Sequence, residues 1–191
     1  VTVLSAGPER ATDALRMALA MGADSAVRLD LPDNADSVMN ARALTTAINK
    51  IGPADIVFTG KEAIDDGASA VGSMMAVFLN IPCLTVVNKI DYSEDSIVCQ
   101  RDIGGGNIEI IETQLPAIVS AQVGLNEPRY ATALNIIKAK KKPIETISAD
   151  ELGITENNRK TKLTCFELPP PKQPCRLIEG SASEQANELI R

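Results

Sequence analysis

The sequence predicts an α/β fold: a doubly wound, mostly parallel sheet with a β-hairpin and an extended C-terminal arm. Three observations carry that expectation. From Val1 to Asn88, short apolar and β-branched runs alternate with longer segments whose apolar residues recur at helical spacing, the pattern of a parallel sheet covered on both faces. From Asp95 to Thr113, two strand-like runs flank Gly104-Gly105-Gly106, which reads as a hairpin. Beyond Ile147 the chain turns polar and then proline-rich, with Pro169-Pro170-Pro171 and Pro174, the composition of an extended segment without its own core.

Taken in order, Val1–Ser5 is a strand, and Ala6-Gly7-Pro8 turns it into a helix with proline at the first helical position. Ala11, Ala14, Leu15, Ala18 and Leu19 give that helix one apolar face, and Gly22 ends it. Ser25–Leu31 is the next strand. Asp36 caps a helix with Val38, Ala41, Leu44, Thr45 and Ile48 on its inner face, closed by Gly52-Pro53. Ile56–Phe58 is a buried strand, Ala68–Leu79 a helix of small and apolar residues, and Cys83–Asn88 another strand. After the hairpin, Ala117–Gln122 is a further strand and Thr132–Lys141 a helix bracketed by Pro128 and Pro143. A short helix over Ser181–Ile190 ends the chain. Residues 1–147 therefore form one α/β domain, and 148–191 an arm that wraps on a partner subunit. The chain opens directly in a strand, so an N-terminal strand and helix are expected to precede it.

Composition excludes several classes. The chain has 191 residues, 45% of them apolar, enough for one good core. A net charge of −6 and 3% aromatic residues leave neither the basic face nor the stacking platforms of a nucleic-acid binder. No apolar run reaches membrane-span length. There is no histidine, which rules out Ser-His and Cys-His nucleophiles and histidine-ligated zinc within this chain. The four cysteines, Cys83, Cys99, Cys165 and Cys175, are widely spaced, as expected of reduced thiols in a cytosolic-type compartment.

The stretch around which the chain is organised is Asp55–Pro82. A strand, Gly60, a polar loop with Asp65 and Asp66, and a helix N-terminus follow one another there. Free backbone N–H groups and the helix dipole make this junction an anion site in parallel sheets, and Gly67, Ala68, Ser69 and Ala70 would let a ligand approach the backbone closely. An ordinary strand-to-helix connection has the same pattern, and no Walker or dinucleotide fingerprint is present. Ala6-Gly7 and Gly60–Val71 both lie at the carboxyl ends of their strands, where such sheets bind ligands. The second feature is Lys138–Lys142, with four lysines. These cations complement a helix C-terminus, or they offer a docking patch to an acidic partner.

Three segments, VTVLSAGPERATDALRMALAMGADSAVRL, GKEAIDDGASAVGSMMAVFLNIP and LPAIVSAQVGLNEPRYATALNIIKAKKKPIE, together resemble the β subunit of electron transfer flavoprotein. The resemblance runs from Val1 to about Ile147. It implies a heterodimer with a larger α subunit that holds most of the FAD, while β buries an AMP. The adenine-nucleotide pocket would be lined by Ala6, Gly60, Lys61, Glu62, Ala63, Ile64, Asp65, Asp66, Gly67, Ala68, Ser69, Ala70 and Val71. Acyl-CoA or related dehydrogenases would dock on Leu125, Asn126, Glu127, Pro128, Arg129, Tyr130, Ala133, Leu134, Ile137, Lys138 and Lys141. Arg101 and Asp102 match a pair near the hairpin turn that can face the mobile flavin domain of α. Electrons would leave through a quinone oxidoreductase, in the cytoplasm of a bacterium or the mitochondrial matrix of a eukaryote.

The chain departs from the family in two places. Ala68-Ser69-Ala70 stands where a Gln or Asn-Gln is usual, leaving backbone N–H groups to bind the phosphate, and Ala133-Leu134 replaces a Leu-Pro. Electron-bifurcating relatives hold a second FAD in place of AMP. Asp65-Asp66 resembles the AMP form and Val71-Gly72 the bifurcating form, and the simple carrier is the preferred reading. A stand-alone adenine-nucleotide sensor is the alternative of another class. It would need neither the proline arm nor the lysine segment.

Overall fold

In the computed structural model, which describes every residue except Gln173, Arg176 and Arg191, strands and helices alternate as expected. The parts of the expected arm that fall on those three positions lie outside the described residues. Thr2–Ala6 (β1), Ala11–Ala20 (α1), Ser25–Asp30 (β2), Ser37–Ile51 (α2), Ile56–Gly60 (β3), Val71–Leu79 (α3) and Cys83–Tyr92 (β4) come first. Ser96–Gly104 (β5), Asn107–Gln114 (β6), Ala117–Ala121 (β7), Ala133–Lys141 (α4), Glu145–Ser148 (β8) and Ala182–Ile190 (α5) follow.

The strands form two hydrogen-bonded sheets, ordered β1-β2-β8 and β3-β7-β4-β5-β6. The first is parallel throughout, and the second is parallel across β3-β7-β4. Beyond it β4, β5 and β6 run antiparallel. Period-2 alternation lets the first sheet take helices on both faces and the second take them on one. In the first sheet, Val3 and Ala26 pack with Leu15 and Leu19 of α1 and with Ala139 of α4. The opposite face sends Val27 and Leu29 against Met39, Ala43 and Ala47 of α2. In the second, Val57 and Ile118 meet Met75 and Ala76 of α3 together with Ala41 and Ile48 of α2. Helix α2 thus packs against both sheets.

Some boundaries differ from expectation. Pro8 stands ahead of the helix and not at its first position, because its carbonyl accepts the Ala11 amide in a preceding turn. The helix expected from Ala68 starts at Val71, since Gly67 (φ 57°) and Ser69 (φ 49°) are left-handed and Asp66 Oδ1 takes the Ala68 amide. Strand β4 runs to Tyr92 and adds a third strand to the hairpin. β8 had no strand signal of its own, being four residues long behind a proline. It pairs with β2, and Leu152 and Ile154 are buried in the same core, so packing continues past Ile147. The Asp36 cap is as expected: its Oδ1 accepts the Met39 amide at 2.9 Å. Its Oδ2 also takes the Lys160 and Thr161 amides at 2.6 and 2.8 Å, fastening the root of the arm to α2.

Candidate functional site

At the carboxyl end of β3 the apolar run Ile56-Val57-Phe58 gives way to Thr59 and Gly60, and the chain leaves the sheet. A cleft of about 260 Å³ opens here, between the ends of β3 and β7, the passing strand β4 and the first turn of α3. Helix α3 has no side-chain cap, so its first-turn amides are without a carbonyl partner inside the helix. The Thr59 hydroxyl oxygen is buried there with no hydrogen-bond partner. A Cβ at Gly72 would fall 2.7 Å from that oxygen, so only glycine lets α3 sit this close to β3. Ser120 of β7 is buried and donates to the Gly60 carbonyl at 3.3 Å.

Facing α3, β4 carries a bulge. Leu84 pairs with Val119 and Val87 with Ala121, three steps on β4 against two on β7. The extra residue is accommodated at Thr85-Val86, with Val86 at φ 61°, an unfavourable conformation for a β-branched residue. Both residues line the cleft.

The structure brings together only part of the expected nucleotide set. Gly60, Lys61 and Ser69 line the cleft. Lys61 pairs with Glu62 at 3.4 Å, and the Ser69 hydroxyl donates to Glu62 at 2.8 Å. That hydrogen bond, with the Lys61 charge second, holds the Glu62 carboxyl below its usual range. The Gly67 amide bonds the Ala63 carbonyl, the Asp66 amide bonds the Asp65 carboxylate, and Asp66 takes the Ala68 amide. These N–H groups hold the loop together, and those left for a ligand lie further on, in the first turn from Val71. Ile64 is fully exposed, and Ala70 precedes the helix. Ala6 is at the end of β1 in the other sheet, packed on its core, and does not line the cleft. Thr59, Gly72, Ser73, Thr85, Val86 and Ser120 were not anticipated. Hydroxyl residues ending otherwise apolar strands, Thr59 and Ser120, are the signal that could have found two of them.

The second surface is the loop before α4 and the helix itself. Leu125 packs under the second sheet, Asn126 bonds the Glu127 carbonyl at 3.2 Å, and Pro128 is exposed. The Arg129 guanidinium lies beside Gly22, and Tyr130 is 93% exposed. Thr132 caps α4 by accepting the Asn135 amide. Ala133, Leu134, Ile137, Lys138 and Lys141 all face solvent, while Ala139 is buried against α1. The expected pair on the hairpin is divided in its work. Arg101 turns inward to Glu109 and Thr85, and Asp102 accepts the Gly104 amide in the turn.

Fold and cleft define the class: a doubly wound α/β protein with a cleft at the carboxyl ends of its parallel strands. The chain belongs to the electron transfer flavoprotein family, on its β-subunit branch. Residues 1–152 match the family model described as electron transfer flavoprotein domain. The electron transfer flavoprotein subunit beta of Bacillus subtilis (strain 168) is 38% identical over 194 residues, covering all of this chain and 75% of that protein. Its namesakes from Sus scrofa and Methylophilus methylotrophus are 39% and 35% identical, again over the whole chain and 73% and 75% of their own lengths. Among the described residues no helix is long and apolar enough to cross a membrane, and no group of His, Cys, Asp and Glu could hold a metal.

Proposed function

We propose that this chain is the β half of a heterodimeric electron carrier. It holds AMP in the cleft beside α3 and docks acyl-CoA or related dehydrogenases on the 125–141 segment. Electrons then pass through FAD held mainly by the α subunit to a quinone oxidoreductase. The redox chemistry is the flavin's. This chain contributes binding and docking, and has no histidine and no paired thiols to carry electrons itself.

The observation that carries the nucleotide assignment is the unpartnered Thr59 hydroxyl in a cleft walled by uncapped first-turn amides of α3. A phosphate would take those amides, and a ribose or phosphate oxygen would satisfy the hydroxyl. Asp65-Asp66, which resembles the AMP form, supports AMP over a second FAD. The exposed Tyr130, Leu134 and Ile137 and the coreless arm support a chain built to be covered by partners over a free-standing sensor.

The test is co-expression with the α subunit and chromatography of the nucleotides released from the purified complex. AMP and FAD in equal amounts are expected. Two equivalents of FAD without AMP would replace this reading with the bifurcating one, and FAD alone at one equivalent would remove the cleft assignment.

A further inference from the structure

Arg101 reaches the cleft through another residue. Its Nη1 donates to Thr85 Oγ1 at 3.1 Å, while its Nε is paired with Glu109, directly opposite on β6. The side chain is about two-thirds buried, and two acceptors fix the guanidinium's orientation. Thr85 is on the bulge that forms the far wall of the cleft. A hydroxyl that accepts from a guanidinium has its own proton left to donate. The cation polarises that O–H and makes it a stronger donor toward an anion.

We propose that Arg101 is a positioning residue for the ligand cleft, orienting the Thr85 hydroxyl to donate to a phosphate or ribose oxygen of the bound nucleotide. The inference rests on the reading that the cleft holds an adenine nucleotide, and it goes beyond it in two respects. It gives the cleft a specific anion-directed donor on the wall opposite α3. It also ties that donor to the β5–β6 hairpin, because Glu109 fixes Arg101 from the strand beyond. Occupancy of the cleft and order of the hairpin are then linked, and each stabilises the other to the same degree. Val86, held left-handed beside Thr85, is a strained position of the kind that clusters at ligand sites.

The experiment uses the αβ complex with Thr85→Val, Thr85→Ser, Arg101→Gln and the Thr85→Val/Arg101→Gln pair. AMP release is followed after dilution into apyrase-free buffer, and amide hydrogen exchange across 101–109 is followed with and without AMP. Thr85→Val and Arg101→Gln should each speed AMP release about tenfold, the loss of one charge-assisted hydrogen bond. Thr85→Ser should release at the wild-type rate. The double variant should be no faster than either single one, since both act through one hydroxyl. AMP should slow hairpin exchange in the wild type and not in Thr85→Val. A purely structural Arg101 would instead loosen the hairpin equally with and without AMP. Unchanged release from Thr85→Val, or additive effects in the pair, overturns the proposal while leaving AMP in the cleft. Wild-type complex that carries no AMP overturns the underlying assignment itself.

Discussion

Arg16 and Lys142 tie α1 and α4 together through reciprocal bonds to backbone carbonyls. From α1, Arg16 Nη1 donates to the Ala139 carbonyl at 2.9 Å and to that of Lys142, closing the C-terminus of α4. Lys142 Nζ returns to the Ala23 carbonyl at 2.9 Å, just past the end of α1. The Ala139 and Lys142 carbonyls lie at the C-terminus of α4, where a cation meets the negative end of the helix dipole. Arg16→Met should therefore cost about 1–2 kcal/mol, with Lys142→Met costing less because it gives up a single bond. The double variant should cost less than the sum, as both links join the same two helices. Thermal midpoints of the complex read this directly, and full additivity would show the two links to be independent.

Lys142 is therefore part of the fold, which leaves Lys138, Lys140 and Lys141 exposed for a partner. Leu134, 60% exposed on the same helix, offers an apolar anchor worth about 1.5–3 kcal/mol if it fills a pocket. Rim lysines act mostly on encounter. Leu134→Ala should speed dissociation of the dehydrogenase with little change in association. Charge reversal at Lys138 and Lys140 should slow association, and added salt should erase the difference. Stopped-flow reduction across an ionic-strength series separates the two. A Leu134→Ala variant with unchanged dissociation would leave docking to charge alone.

Gly72 and Thr59 should show a reversal of sign. Alanine at 72 places its Cβ 2.7 Å from Thr59 Oγ1, with Thr59 Cβ and Cγ2 both at 3.5 Å, so rotating Thr59 brings its methyl toward the same space. Gly72→Ala should destabilise the protein and empty the cleft. With Thr59→Ala in the background the clash is gone, and the same change should stabilise α3 by up to about 1 kcal/mol through helix propensity. Equal effects in both backgrounds, by thermal midpoint, would mean that the 59–72 contact is not what excludes a side chain.

Asp36 should fasten the arm in a pH-dependent way. Burial of the carboxylate works to raise its pKa, but the bonds from the Met39, Lys160 and Thr161 amides and the Thr161 hydroxyl outweigh it, and the net shift is downward. A lowered folded pKa means that the stabilisation is complete above the unfolded value of about 3.9 and is lost as pH falls through the folded one. The amide shifts of Lys160 and Thr161 should titrate together with a midpoint below about 3.9. Asp36→Asn should keep the α2 cap and lose that titration, whereas Asp36→Ala should also cost about 0.5–2 kcal/mol of stability. Amides that do not respond to acid would show the arm to be held elsewhere.

How far the site was legible follows from what local pattern contains. The β3–loop–α3 junction, the Asp36 cap and the hairpin around Gly104–Gly106 are local events, each signalled by residues adjacent in sequence. The cleft's far wall is not. Thr85 faces Thr59 only because β7, from more than fifty positions along the chain, inserts between β3 and β4, and periodicity does not encode strand order. The bulge at Val86 is likewise a product of pairing. Lys61 to Gly67 were legible as a loop, but the amides of Asp66, Gly67 and Ala68 are engaged by Asp65, Ala63 and Asp66, a local competition that small-residue composition does not show.

Fixing residues 160 and 161 to Asp36 also sets a reach. Between there and α5 at Ala182 no described residue lies in a helix or strand. A span of about 20 residues reaches at most roughly 70 Å fully extended, and a proline run such as Pro169–Pro171 favours the extended form. If a partner holds the core, α5, with Leu189 exposed, stays within that reach of it, a tethering that corresponds to a local concentration on the order of millimolar. The second attachment is then intramolecular, so an arm contact too weak to hold two separate proteins together can still lengthen the life of the complex.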